Sequence, residues 1–355
     1  MFKSLQRAVP LFTFLFVSSC IGPEKELVTG GSTVYLSKEK ELVVNDDRDQ
    51  LGRMWVDVQV IDDLNVIYGR DPNNRKIYRL SMESGSLEFI SSNGRGPEEM
   101  MHPMQITIKN SDEFYAYDGS LDQISHFVNE KIENKISGYL HHEVWTRSHL
   151  GFYWKNHIIT GIDDYFRVQS NNCDEAQPLA LLDLEHQTLT KHGTISPTVN
   201  CLVKSENFPQ LYLDINSEVV YYIYHNDYTL MAYDLTNDST YVASSFKPAN
   251  IRIPTTSASS EATGWDPMDI SILVGLHATE EYLVAAWYNM TEEYLDGYDP
   301  KDLEIYGVLY DLPSFDNPRE FHLSGRLLGT YNNYILVEEN DDPKKYTIGF
   351  YIVDK

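Results

Sequence analysis

The chain has 355 residues, and its 28 Lys and Arg against 53 Asp and Glu give a formal net charge of −25. This acidic excess argues against a nucleic-acid partner, because binding to phosphates requires clustered basic side chains. The 25 Tyr and 14 Phe occur in alternating runs such as residues 219–235, a pattern that favours a strand-rich fold.

The N-terminus has the composition of an export signal. Lys3 and Arg7 form a short basic region, and residues 9–17 are predominantly apolar. This apolar run is too short to span a bilayer, which requires about 20 residues. We therefore expect residues 1–19 to be a signal peptide that is removed on export.

Residues 17–20 resemble a bacterial lipobox, in which cleavage leaves Cys20 as the first residue and acyl chains are attached to it. Residues 20–32 would then be a tether. An ordinary signal peptide with an incidental Cys20 is the alternative. Residue 21 is Ile rather than Asp, which favours an outer-membrane lipoprotein of the cell envelope, on either side of that membrane.

From residue 33 to residue 355 the sequence predicts a single all-β domain, a six-bladed β-propeller, because four-strand units recur without helical periodicity between them. Blade one is predicted at 55–60, 64–68, 76–80 and 87–91, and blades two to five at 104–136, 149–194, 211–244 and 270–323. Blade six has only three predicted strands, at 327–331, 334–338 and 346–353. We expect a strand at 33–44 to complete it and close the ring, which leaves no free sheet edge there. Five or seven blades would result if blade three or five were divided differently.

The loop after blade one has an unusual composition, Gly94-Arg95-Gly96-Pro97-Glu98-Glu99. Its glycines permit tight turns, Pro97 fixes φ, and a glutamate can accept hydrogen bonds from freed amides. One interpretation is a purely geometric role, and the other is ligand contact through Arg95, Glu98 and Glu99. No Lys follows and no helix is predicted to begin here, so this is not a phosphate-binding loop.

This loop, the Tyr-x-Tyr-Asp step at 115–118, the lipobox and the blade spacing resemble the TolB-like six-bladed propeller lipoproteins of bacteria. That group has a Gly-x-Gly-Pro-x-Glu loop, which Gly94, Gly96, Pro97 and Glu99 match. The resemblance implies a propeller fold and an exported lipoprotein. It implies no particular reaction, since members of the group are mostly uncharacterised.

In a propeller, the turns between second and third strands lie on the same face as the loops between blades, and here those turns are acidic. They contain Asp71, Asp118, Asp122, Asp163, Asp164, Asn226, Asp227, Glu292, Glu293, Asp296, Asp299, Glu339, Asp341 and Asp342. Such a face would attract Ca²⁺ or a cationic ligand. The general preference of Asp and Asn for turns is the alternative. Residues 296–299 match a fragment of a calcium loop but lack its later glutamate.

Two further features concern specificity and stability. Tyr294 and Tyr298, in an insertion of blade five, are candidates for stacking on a sugar or peptide, with packing on neighbouring loops as the alternative. Cys173 and Cys201 flank a predicted hairpin, and in an oxidising compartment we expect them to form a disulfide, with two separate thiols as the alternative.

No catalytic motif is evident, since there is no Gly-x-Ser-x-Gly elbow and residues 141–143 lack the second histidine of a zinc-binding helix. The sequence therefore predicts a lipid-anchored binding or interaction module in the cell envelope. A carbohydrate, a peptide or an envelope protein would meet the face that bears Arg95, Glu98, Asp118 and the blade-five loop. The alternative is a metal-dependent hydrolase or lyase, lactonase-like or glycosidase-like, that uses carboxylates at the channel mouth.

Overall fold

The computed structural model describes residues 32–45, 58–61, 64–71, 73–137, 146–162, 176–199, 209–224, 227–253, 268, 270–297, 302–342 and 345–354. The predicted signal peptide, Cys20, Cys173, Cys201, Tyr298 and Asp299 lie outside these residues. No helix of the described part has the length and apolarity needed to cross a membrane.

The described residues form six blades, in agreement with the predicted architecture. The N-terminal strands are β1 (Ser32–Thr33) and β2 (Leu36–Val43). Blade one contains β3 (Gln59–Ile61), β4 (Val66–Asp71), β5 (Lys76–Ser81) and β6 (Leu87–Phe89), and the loop after it contains β7 (Ser92–Asn93) and β8 (Glu99–Met100). Blade two contains β9 (Pro103–Ile108), β10 (Glu113–Asp118), β11 (Gln123–Val128) and β12 (Lys131–Ser137). Blade three contains β13 (Thr146–Trp154), β14 (His157–Ile162), β15 (Leu179–Asp183) and β16 (Thr188–His192).

The second half of the ring repeats this order. Blade four contains β17 (Pro209–Asp214), β18 (Val219–Tyr224), β19 (Leu230–Asp234) and β20 (Ser239–Ser244). Blade five contains β21 (Ser271–Ala278), β22 (Tyr282–Asn289), β23 (Glu304–Asp311) and β24 (Arg319–Leu323), with helix α1 (Glu292–Gly297) between β22 and β23. Blade six contains β25 (Arg326–Tyr331), β26 (Tyr334–Asp342) and β27 (Lys345–Val353).

The ring is closed by the N-terminal strand, as the sequence predicts. β2 pairs antiparallel with β27, from Leu36 opposite Val353 to Val43 opposite Thr347. β1 pairs in parallel with β24, the outer strand of blade five. The innermost strands of successive blades contact one another around the ring, and β25 of blade six contacts β3 of blade one.

The apolar core lies between adjacent blades. Trp287 and Tyr306 are fully buried between blades four and five, and Tyr78 and Phe350 are buried between blades six and one. Aromatic rings suit these interfaces because each fills a wide gap between two twisted sheets. This packing explains the high Tyr and Phe content.

Each blade has strands A to D from the centre outward, which defines two faces. We call the face with the A–B and C–D turns the A–B face, and the face with the B–C turns and the loops between blades the B–C face. Two predictions about the B–C face were wrong. Helix α1 replaces the predicted irregular loop of blade five, and Glu339 lies within strand β26 rather than in a turn.

Both differences have local causes. At α1, the Thr291 hydroxyl accepts a hydrogen bond from the Tyr294 amide at 3.1 Å, which caps the helix, and Glu292 and Glu293 occupy its first turn. At Glu339, the carboxylate accepts hydrogen bonds from Tyr351 in the adjacent strand β27 and from Lys38 in β2, the next strand beyond it. These partners allow a charged residue to lie inside a sheet.

Candidate functional site

Asp118, one of the predicted binding residues, is 1% exposed and bonds to the backbone. Its carboxylate accepts hydrogen bonds from the amides of Met101 at 2.5 Å and His102 at 3.2 Å, in the loop that arrives from blade one. It also accepts from the amides of Ser120 and Leu121 in its own turn, at 3.0 and 3.2 Å. Asp118 therefore holds two loops in place.

The same arrangement recurs in other described blades, where a polar residue at the end of strand B or in the B–C loop after it binds the loop from the preceding blade. In blade four, Asp227 accepts a hydrogen bond from the Thr198 hydroxyl at 2.7 Å. In blade five, Asn289 donates to the Asn250 carbonyl at 3.1 Å. Burial raises the pKa of the Asp227 carboxyl, and one of its oxygens, Oδ2, has no hydrogen-bond partner among the described residues.

Other acidic turn residues mainly stabilise their own turns. Asp71 accepts from the amides of Asn73 and Asn74 at 3.0 and 3.1 Å, as is usual for an aspartate at the start of a turn. Asp122 has a left-handed backbone, with φ of 48°, and accepts from the Tyr117 hydroxyl at 3.3 Å. No group of three His, Cys, Asp or Glu within the described ranges is placed to hold a metal ion, so the Ca²⁺ site and the metal-dependent alternative stay predictions.

The loop at residues 94–99 is held by its own groups and by one lysine. The Glu99 carboxylate accepts a hydrogen bond from the Gly96 amide at 2.7 Å, and a Cβ on Gly94 would overlap that carboxylate. Lys135 donates to the carbonyls of Gly96 and Glu99 at 2.8 and 2.7 Å. These contacts support the geometric interpretation for Glu99, whereas Arg95 and Glu98 have exposed side chains.

The remaining described candidates lie on α1, where Tyr294 is half-buried and Asp296 is exposed. Tyr298 and Asp299 fall outside the described residues, so the stacking platform and the calcium-loop fragment stay predictions.

A cavity of about 600 Å³ lies at the A–B end of the central channel. Inner strands of all six blades contribute to its wall, together with A–B turns and one C–D turn. The lining residues are Val58, Gln59, Val60, Ile108, Gly151, Phe152, Tyr212, Asp214, Asn216, Leu276, His277, Ala278, Thr279, Glu280, Leu312, Pro313, Thr330 and Asn332. This volume lies within the range of small-molecule sites, roughly 300 to 1,000 Å³.

His277, on the innermost strand of blade five, is the chemically distinctive residue of this wall. It is only 8% exposed, and its Nε2 has no hydrogen-bond partner among the described residues. A Cβ on Gly275 would come within 2.8 Å of Nε2, so the glycine makes room for the ring. Burial lowers the pKa of His277 to about 4, which keeps the imidazole neutral near neutral pH.

Gln59 fixes another part of the wall by joining blades one, two and three. Its side-chain amide donates to the carbonyls of Ile106 at 3.1 Å and Gly151 at 2.8 Å, and its oxygen accepts from the Ile108 amide at 2.8 Å. These hydrogen bonds fix the position of the three inner strands that form this part of the cavity wall.

Sequence reasoning missed this site. The only signal was a single histidine, His277, inside the apolar run 272–278, and a lone histidine in such a run is ordinary in a core. Asp214 and Glu280 were not distinguished either, because acidic residues occur in the turns of both faces.

No protein-family model matches this sequence, and no curated protein matches it. Among solved structures, the fold is similar to a member of the DUF4221 family from Bacteroides vulgatus, with a TM-score of 0.73, 8% sequence identity, and coverage of 92% of this chain and 100% of that chain. It is also similar to a candidate exported protein from Bacteroides fragilis, with a TM-score of 0.65, 12% identity, and coverage of 93% of this chain and 100% of that chain. At these identities the likeness establishes the shared propeller fold alone.

Proposed function

We propose that this chain is a lipid-anchored propeller of the bacterial cell envelope that binds a small molecule in its central cavity. The observation that carries the proposal is the cavity of about 600 Å³ at the A–B end of the channel, whose wall is built by the inner strands of all six blades. A volume of this size is typical of small-molecule sites. The buried His277 ring and the hydrogen-bonded Gln59 give this wall polar groups in fixed positions.

This proposal moves the binding site from the predicted B–C face to the A–B end of the channel. On the B–C face, Asp118 and Glu99 are used by backbone amides. Arg95, Glu98 and Asp296 stay exposed and are the predicted contacts there for a peptide or an envelope protein.

The envelope location is supported by the sequence of the N-terminus, where a basic region and an apolar run precede Cys20. Replacing Cys20 with Ser should abolish incorporation of labelled palmitate and move the protein from the membrane fraction to a soluble one. If Cys20→Ser still incorporates palmitate and stays in the membrane fraction, the lipid-anchor part of the proposal is wrong.

The binding part is tested with the full chain, purified from membranes in detergent and incubated with the small-molecule fraction of an envelope extract. Native mass spectrometry should detect a bound molecule on the wild type. The substitution Ala278→Phe fills the cavity and should abolish the bound mass, whereas Ala249→Phe makes the same change at an exposed position of the B–C face and should not.

Melting temperatures establish whether Ala278→Phe still folds, and His277→Leu provides a second variant that removes the nitrogen at similar volume. The same bound mass on all four proteins would contradict the proposal, and so would a mass lost only with Ala249→Phe.

A further inference from the structure

Two carboxylates line the cavity, on the neighbouring blades four and five. Asp214 ends strand β17 and accepts a hydrogen bond from the Asn216 amide at 2.9 Å, which fixes the turn. Glu280 is exposed at the tip of the next A–B turn, which the Thr279 hydroxyl closes by accepting from the Tyr282 amide at 3.0 Å. None of the described residues that line the cavity is a Lys or an Arg.

The lysines of two other A–B turns are already paired. Lys155 lies 2.5 Å from Glu218, and Lys109 lies 2.6 Å from Glu113. They are therefore poorly placed to neutralise Asp214 and Glu280. The described lining of the cavity thus includes two carboxylates and no Lys or Arg, in a chain that is itself strongly acidic.

The rest of the wall combines aromatic and apolar groups with the neutral imidazole. The rings of Phe152 and Tyr212 pack edge to face, with their centroids 6.4 Å apart. Aromatic faces attract cations as well as apolar groups. The neutral imidazole of His277 adds no positive charge that would repel a cation.

We propose that the cavity binds a cationic amine with an apolar or aromatic body, an inference that rests on the proposed function and specifies its ligand class. The ammonium group would lie near Asp214 and Glu280, and the apolar body would contact Phe152 and Tyr212. The His277 ring would lie in the wall beside the ligand without adding a positive charge. An anionic molecule of the same size would be repelled.

Calorimetric titration of the full chain with three probes of matched shape tests this class. The probes are phenethylamine, phenethyl alcohol and hydrocinnamate, which share a phenyl ring and differ in charge. Phenethylamine should bind about tenfold more tightly than the alcohol, and hydrocinnamate should bind most weakly.

Charge-removing variants then locate the effect. The double variant Asp214→Asn, Glu280→Gln removes both charges, and the side-chain oxygen of the new Asn can still accept the hydrogen bond that fixes the turn. Its binding of phenethylamine should be weaker by about tenfold. The matched control, Glu98→Gln with Asp296→Asn, removes two exposed charges from the opposite face and should leave binding unchanged within about twofold.

The outcomes separate the ligand class from the proposed function. If hydrocinnamate or the alcohol binds best and Ala278→Phe abolishes it, the cavity is a binding site but the amine class is wrong. If phenethylamine binding survives Ala278→Phe, or is lost only in the control pair, both proposals are wrong. If none of the three probes binds, the amine class is wrong. Native mass spectrometry with the envelope extract then tests separately whether the cavity binds a small molecule.

Discussion

Lys38 of the first closing strand and Glu339 of the last blade form an ion pair, with Lys38 Nζ 2.6 Å from Glu339 Oε2. The Glu339 side chain is only 9% exposed, and its other oxygen accepts a hydrogen bond from the Tyr351 hydroxyl. The hydrogen bonds to Glu339 and Glu41 raise the pKa of Lys38 above its usual value. Residues 301 positions apart in the chain therefore share one buried carboxylate at the ring closure.

A double-mutant cycle should show that this pair stabilises the ring closure. We expect Lys38→Met and Glu339→Gln to be coupled by about 1 to 2 kcal/mol in the free energy of unfolding, because Lys38→Met leaves the buried Glu339 carboxylate without its cation. Glu41 lies equally close to Lys38, at 2.6 Å, but is exposed. The matched cycle of Lys38→Met with Glu41→Gln should give coupling below about 0.5 kcal/mol. Equal coupling in the two urea-denaturation cycles would contradict the role of Glu339.

The loop at residues 94–99 should prove structural. Gly94→Ala would displace the Glu99 carboxylate from the Gly96 amide and should lower the free energy of unfolding by about 1 kcal/mol or more. Gly297→Ala, at the end of α1, would bring its new Cβ within 4 Å of no described residue outside α1 and should be neutral or slightly stabilising. Loss of ligand binding in Gly94→Ala without a change in stability would instead indicate direct ligand contact by this loop.

His277 should make stability depend on pH. Burial holds its folded pKa at about 4, below the usual 6.5, so the unfolded chain binds an extra proton between these values and stability falls as the pH falls through that window. Between about pH 6.5 and about pH 5, this loss should amount to about 2 kcal/mol in the wild type. His277→Leu should lack this part of the pH dependence.

The same variant should be more stable than the wild type at about pH 5, because it removes a buried nitrogen that has no hydrogen-bond partner among the described residues. Urea denaturation of both proteins at two pH values measures this difference. Parallel pH dependence in the two proteins would show that the ring is hydrated or protonated in the fold, contrary to its described burial.

Asp227 should show the opposite pH dependence. Because burial raises its folded pKa, the folded state retains the proton more readily, so stability is full at low pH and is lost as the pH rises through that folded pKa. Asp227→Asn keeps an oxygen for the Thr198 hydroxyl and the Tyr228 amide. It should stabilise the protein near neutral pH by about 1 kcal/mol, and this gain should shrink in acid. If Asp227→Asn lowers the free energy of unfolding both near neutral pH and in acid, this role of Asp227 is wrong.

Much of the fold could be predicted from the sequence, because strand alternation and turn residues recur at a regular spacing. The closing strand followed from counting, since blade six has three strands of its own and residues 33–44 were unassigned. Helix α1 was missed because its signal is short, a capping Thr291 followed by two glutamates. Glu339 was misplaced because its partner Lys38 is remote in sequence.

The candidate site was less predictable, since it depends on which side chains converge across blades. Asp118 and Asp227 read as members of an acidic ligand face, but each binds an inter-blade loop. His277, in contrast, is distinctive only because its ring is buried and its Nε2 has no hydrogen-bond partner among the described residues. Neither property can be read from neighbouring residues in the chain.

The cysteine pair stays a prediction that mass spectrometry can check. Cys173 and Cys201 should be linked in the exported protein, and non-reducing digestion should yield one cross-linked peptide pair. In the chain-entropy model the loop of about 28 residues stabilises the fold by a few kcal/mol at most. Two alkylated thiols in the protein purified without reductant would contradict the pairing.

Hydrogen–deuterium exchange of the full chain, with and without the small-molecule fraction of an envelope extract, tests the central claim most directly, because it reports which face the ligand meets. We expect slowed exchange in the A–B turns at residues 215–218, 279–281 and 332–333, with no change in residues 94–99 or in α1. Protection confined to residues 94–99 and α1 would place the ligand on the B–C face and contradict the cavity as the binding site.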